Sequence, residues 1–177
     1  GLPFGCTKPS LAYVPSQGSQ KATFEDETEI GVIRRDVYPN FTYLKLQDNL
    51  KDTPISKSGL AIPKLLGMCQ TPKEKAFFLS YESKYHMWSE EVAFLLPQAW
   101  IQWHSRPKKD LRSQSSSYAD DLYRVDFVTF WKNKRFAILV DDIGHYAKQV
   151  GTRWDADEQK YAMRLKEDRK LRKEGWQ

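Results

Sequence analysis

The segment from Tyr123 to Asp141 constrains this chain most, because two runs rich in Val, Phe and Ile, residues 122–131 and 135–141, are joined by the polar Lys132-Asn133-Lys134. Such runs suit pleated, half-buried strands, and a short polar link between them makes a hairpin. Acidic residues interrupt both runs: Asp126 in the first, and Asp141 followed by Asp142 at the end of the second. A carboxylate among core residues is costly unless something pairs with it. If the link is even-numbered and centred on Asn133-Lys134, Trp131 faces Phe136, Val128 faces Leu139 and Asp126 faces Asp141, with opposed Cβ atoms about 4.5–5.5 Å apart. Two carboxylates so placed need a bridge, and a hard divalent cation or a basic side chain supplies one. An odd-numbered link shifts the register by one residue and spoils the pairing. The plain structural alternative is that Asp126 caps a bend and that Asp141 and Asp142 end a strand, since aspartate is common in turns.

A chain of 177 residues holds one good core, or one domain of roughly 100–150 residues with an appended segment. No apolar run approaches the ~20 residues that span a bilayer, so no membrane partner is expected. The N-terminus shows no basic region followed by an apolar stretch and a cleavage site, and the expected location is cytoplasmic. Cys6 and Cys69 are far apart and lack histidine at ligand spacing, which argues against a disulfide scaffold or a structural zinc. The net charge of +5 favours a polyanionic partner.

Residues 1–26, with Pro3, Pro9 and Pro15, read as an irregular arm on which Tyr13 and Val14 can dock. Residues 29–34 and 41–46 suggest a small hairpin, so that 1–70 is expected to form an arm with a small β-containing extension and 71–177 the main domain. Thr71-Pro72-Lys73-Glu74 has the N-cap threonine, N1 proline and N3 glutamate of a helix start, and the helix is expected to run through Phe77, Phe78 and Tyr81, as far as Leu96 at most. Ser89-Glu90-Glu91 is a second candidate cap. Residues 98–104 alternate as a half-buried strand, with Gln102 and His104 on one face. The stretch 106–120 reads as a basic loop whose Lys108, Lys109 and Arg112 are suited to phosphates. A last helix is expected from about Trp154, ending at Gly175, with Trp176-Gln177 starting a strand. Trp88, Trp100, Trp103 and Trp131 are expected in the core rather than as stacking platforms.

Together these residues resemble one branch of the PD-(D/E)XK, or restriction-endonuclease-like, superfamily. That branch carries Arg-Val-Asp-Phe on one strand, Ile-Glu-x-Asp-Gly-x-x-His on the next, and then a helix with an Arg-Asp-(Arg)-x-Leu pattern ending in Gly-Trp or Gly-Tyr. Arg124-Val125-Asp126-Phe127, Ile138-Leu139-Val140-Asp141 with His145-Tyr146, Glu167-Asp168-Arg169-Lys170-Leu171 and Gly175-Trp176 stand in the same order over about half of the chain. The resemblance implies an α/β (α+β) fold, a mixed central sheet flanked by helices, here with an N-terminal extension. It implies Mg²⁺-dependent, or Mn²⁺-dependent, hydrolysis of phosphodiester bonds in DNA.

On that resemblance Asp126 is the first metal ligand, Asp141 the second, and Glu90 or Glu91 the acid that some members add from a helix. Leu139 stands where the second carboxylate of the family should be, and Val140 is the candidate to lend a main-chain carbonyl instead. His145 is a candidate general acid/base, or else a histidine ending a strand loop. Lys148 is a candidate replacement for the lysine of the family, or else an exposed side chain. The expected activity is therefore a metal-dependent DNA endonuclease. The alternative is an inactive module of the same fold that binds nucleic acid or assembles with a protein partner, either a larger protein or a second copy.

Overall fold

The computed structural model describes residues 1–16, 19–24, 30–34, 36–51, 61–86, 89–102 and 123–177. Lys108, Lys109, Arg112, Trp88, Trp103 and His104 lie outside the described residues. The elements are β1 (Leu2–Phe4), β2 (Leu11–Ser16), β3 (Ser19–Phe24), β4 (Gly31–Ile33), α1 (Tyr43–Leu50), α2 (Ala61–Met68), α3 (Pro72–Tyr85), β5 (Leu96–Gln102), β6 (Tyr123–Trp131), β7 (Lys134–Ile138), a 3₁₀ turn (Ile143–His145), β8 (Ala147–Val150), β9 (Arg153–Ala156) and α4 (Glu158–Lys173). This is an α+β chain built on a five-stranded sheet in the order β4-β1-β5-β6-β7, and every neighbouring pair is antiparallel, so the sheet is not the mixed one expected. Two hairpins, β2-β3 and β8-β9, stand outside that sheet. No helix among the described residues is long and apolar enough to cross a membrane.

The N-terminal arm is not irregular. Leu2–Phe4 form a strand between β4 and β5, with Phe4 opposite Gly31 on one side and Ala99 on the other. The Phe4 ring lies over Gly31 so closely that a Cβ there would come within 1.9 Å of it, so only glycine admits this pairing. The small hairpin expected from residues 29–34 and 41–46 does not form. Residues 31–33 pair with β1, and Tyr43–Leu50 is a helix that buries Leu46 and Leu50. The division expected at residue 70 thus runs through one sheet, and one apolar cluster joins Phe4, Phe41, Leu46 and Leu65 to Phe78, Phe94 and Phe127.

The helix start at Thr71 is as expected: the Thr71 hydroxyl accepts from the Glu74 amide at 3.1 Å, with Pro72 at N1. The helix ends at Tyr85, well short of Leu96, because His86 takes a left-handed conformation (φ 51°) and closes it. Residues 89–91 form a turn rather than a second helix. The Phe77 and Phe78 rings of α3 meet Phe127 of β6 at 5.3 and 6.0 Å. Phe127 is fully buried, a placement that contributes about 1.5–3 kcal/mol. Phe130 lies on the other face of the strand by alternation and meets Trp176 at 6.0 Å.

The link between β6 and β7 is shorter than expected. Lys132 and Asn133 both adopt positive φ (50° and 62°), the geometry of a two-residue hairpin turn, and Trp131 pairs with Lys134. The register therefore runs through Phe127 opposite Ile138, and its continuation sets Asp126 opposite Leu139, not Asp141. The slip is two residues, so the expected face is kept while the expected partner is lost. The last helix starts at Glu158 rather than near Trp154, which lies in β9; Asp157 caps it through bonds from the Gln159 and Lys160 amides. Gly175 ends it with φ 82°, and Trp176 then bridges to Arg135 in parallel, the beginning of the strand expected there.

Candidate functional site

A cavity of about 350 Å³ opens where β6 and the end of the hairpin pass under α4, lined by Tyr123, Arg124, Asp126, Leu139, Gly144, His145, Lys160, Met163, Arg164 and Glu167. It exists because α4 turns a charged stripe inward. Lys160, Arg164, Glu167 and Leu171 recur at helical spacing, and of these only Leu171 is apolar and buried against the core. Lys160 anchors the first turn by donating to the carbonyls of Gly144 (2.9 Å) and Ala147 (2.8 Å). The helix is thus docked by apolar packing at its C-terminal end and by polar struts at its N-terminal end.

Asp126 lies on the wall of this cavity, flanked in sequence by the fully buried Val125 and Phe127. Its Oδ2 accepts from the Val140 amide at 2.6 Å. Burial pushes its carboxyl above the usual carboxylate range, and Glu74 adds to this, while the Val140 bond and the charges of Arg164 and His145 oppose it. What Val140 gives Asp126 is therefore its N–H. Leu139 lines the cavity beside it, an apolar side chain where the family pattern has a carboxylate.

Asp141 is held elsewhere. Its Oδ1 accepts from Arg164 Nη2 and lies 3.3 Å from His145 Nδ1, and its Oδ2 accepts from the Tyr146 hydroxyl. Burial pushes its carboxyl up, but the bonds from Tyr146, His145 and Arg164 outweigh this and hold it below its ordinary value. Arg164 also donates to Glu167 at 3.2 Å, so one guanidinium clamps two carboxylates. Asp142 caps the 3₁₀ turn through the Gly144 amide and pairs with Lys73 of α3 at 2.6 Å.

Of the other residues expected at the site, His145 lines the cavity and Lys148 does not. Lys148 is an exposed residue of the β8-β9 hairpin, opposite Asp155. Glu90 serves α1: its Oε2 accepts from the Thr42 hydroxyl at 2.7 Å and its Oε1 from the Leu44 amide at 3.1 Å. Glu91 is exposed. Gln102 turns toward the end of α4 and donates to Glu174 at 2.9 Å. Trp100 is half-buried, its indole N–H bonded to the Gly5 carbonyl at 3.0 Å with Arg124 over its ring.

A divalent metal, implied by the family resemblance, does not fit these donors. A hard cation of this kind wants several oxygen ligands converging on one point. Here Asp141 and Glu167 are both bound to Arg164, Leu139 offers no oxygen from its side chain, and Lys160, Arg164 and Arg124 line the space a cation would enter. Among the described residues, no group of three or more His, Cys, Asp or Glu is placed to hold a metal ion.

Lys160 and Arg164, which the sequence reading does not single out, carry the geometry with Glu167, Tyr123 and Tyr146, which it quotes without assigning them a role. The signal was present as the Lys160–Arg164–Glu167–Leu171 spacing, a helix face that would be apolar if it only packed. The sequence marks Glu74 as a capping residue alone. It is also a buried carboxylate, accepting from the Gln70 amide (2.8 Å) and from Gln98 Nε2 (2.6 Å). Gln98 has positive φ (53°) and falls in register opposite Asp126, which brings this second polar cluster up to the same row of the sheet.

No protein-family model, curated protein or solved structure matches this chain. The likeness to the nuclease superfamily rests on the residues quoted for it.

Proposed function

We propose that this chain is a metal-independent nucleic-acid-binding module on a restriction-endonuclease-like frame. One observation carries the reading: at the position of the expected metal centre, Arg124, His145, Lys160 and Arg164 line the cavity, and an internal guanidinium already neutralises Asp141. Lysine and arginine so placed suit phosphate oxygens, and a divalent cation would have to enter beside them. Exposed Arg169 and Lys173 extend the basic surface along α4. Arginine and lysine bind nucleic acid chiefly by displacing counterions from the phosphates, so binding weakens steeply with salt, by about 0.9 in log–log slope per phosphate contacted.

Fluorescence anisotropy with a labelled 30-base-pair duplex, in EDTA and over a salt series, tests this. Salt-dependent binding undiminished by EDTA is the expected result, with a shallower slope for the Arg169→Gln/Lys173→Gln variant. No binding at low salt refutes the reading.

A second reading keeps DNA hydrolysis, because Asp126, His145 and Lys160 line the same cavity. Plasmid nicking by the wild type in Mg²⁺ or Mn²⁺, abolished in Asp126→Ala, would establish it over the first.

A further inference from the structure

The composition of the cavity is more specific than a phosphate site requires. Arg124, Lys160 and Arg164 line it together with His145, and Tyr123, Leu139 and Met163 add ring and aliphatic surface. Two hydrogen-bond acceptors, Asp126 and Glu167, complete the lining. Among the described residues the hydrogen bond of Asp126 uses Oδ2, which leaves Oδ1 to accept another. Lys160 spends two N–H groups on Gly144 and Ala147 and keeps the third.

Inorganic phosphate would satisfy the cations and leave the apolar wall and the acceptors unused. An apolar ligand would leave the third N–H of Lys160 and Oδ1 of Asp126 without partners, and covering polar groups in that way is costly. A volume of about 350 Å³ is at the small end of ligand sites, which run from about 300 to 1,000 Å³, and is too small for a duplex segment. We propose that the cavity binds a single nucleoside monophosphate unit, its phosphate on the Lys160 and Arg164 side, its base against Tyr123, Leu139 and Met163, and a base N–H donated to Asp126. Free nucleotide and the phosphorylated end of a strand present the same chemistry. The inference rests on the nucleic-acid reading in that the same cations serve both.

The test is calorimetric titration of the wild-type chain with deoxyadenosine 5′-monophosphate, deoxyadenosine and inorganic phosphate, beside the duplex measurement made with 5′-hydroxyl ends. The nucleotide is expected to bind at least tenfold more tightly than either fragment. Met163→Trp, at a side chain 63% exposed and so outside the packed core, narrows the mouth and is expected to weaken the nucleotide at least tenfold with an unchanged melting temperature. Asp126→Asn is expected to weaken it less, since the amide oxygen still accepts. A 5′-phosphorylated decamer that outcompetes its 5′-hydroxyl counterpart identifies a strand end as the source, and equal competition identifies free nucleotide.

Duplex binding without nucleotide binding at millimolar concentration overturns this inference and leaves the nucleic-acid reading standing. Nucleotide binding without duplex binding does the reverse. Nucleotide binding unaffected by Met163→Trp places the ligand elsewhere and also overturns it.

Discussion

Asp126 is a charge held where charge is unwelcome. Its folded carboxyl is raised above the unfolded value by burial, so the stability it contributes is complete below the unfolded value and is lost as pH rises through the folded one. Asp126→Asn keeps an acceptor for the Val140 amide and removes the ionisation. It is expected to raise the melting temperature at neutral pH and to lose that advantage as pH falls through the folded value to the ordinary aspartate range; thermal melts against pH check this. Asp141 behaves in the opposite sense. Its folded carboxyl lies below the ordinary value, so its contribution is present at neutral pH and lost as pH falls through the folded value. Arg164→Met removes the clamp on Asp141 and Glu167. We expect a loss of about 1–3 kcal/mol, discounted for the partial exposure of both carboxylates, and a shallower acid-side fall in urea midpoints. The sequence displayed Asp126 and Asp141 as unusual but not their separate fates, because those depend on a guanidinium 23 residues beyond Asp141.

Local signals determined which elements could be recognised. Thr71 and Glu74 act within one turn, so the start of α3 was legible. Gly175 is legible for the same reason, since its positive φ acts on its immediate neighbours. The β6-β7 turn departs from the expected link because Lys132, not a glycine, takes the first left-handed position, so no glycine marks a two-residue turn. Glu90 failed in a different way. Thr42 stands at the N-cap of α1 but makes no cap bond with its side chain; its hydroxyl donates to Glu90, and the Glu90 carboxylate accepts from Leu44 in its stead. Nothing within the segment 89–91 announces a partner 46 residues earlier. Glu90→Ala is expected to cost about 1 kcal/mol, as loss of a helix cap does, and to leave duplex binding unchanged. Denaturant unfolding and anisotropy on the same variant separate this role from that of a metal ligand.

At the scale of the molecule, the sequence suggested an arm beside a domain, whereas the sheet recruits both. β1 pairs with a strand more than ninety residues away, and no local pattern in three residues reports such a neighbour. Phe4, Ile33, Phe41, Leu46 and Leu65 supply the same core as Phe127. A fragment of residues 71–177 would expose the β5 edge and the apolar surface that these side chains cover. It is expected to lack a cooperative thermal transition and to bind a hydrophobic dye, whereas the whole chain melts cooperatively. A sharp transition in the fragment would restore the boundary at residue 70.

The uneven docking of α4 sets how the molecule breathes. Its last turns rest on Leu171 and Trp176, while its first turns are tethered by lysine and arginine bonds that water can replace. Segments with few apolar contacts open far more often than the core does. Amide deuterium uptake across residues 159–165 should therefore outpace that across 169–174, so that the roof of the cavity lifts from one end while the helix stays hinged at the other.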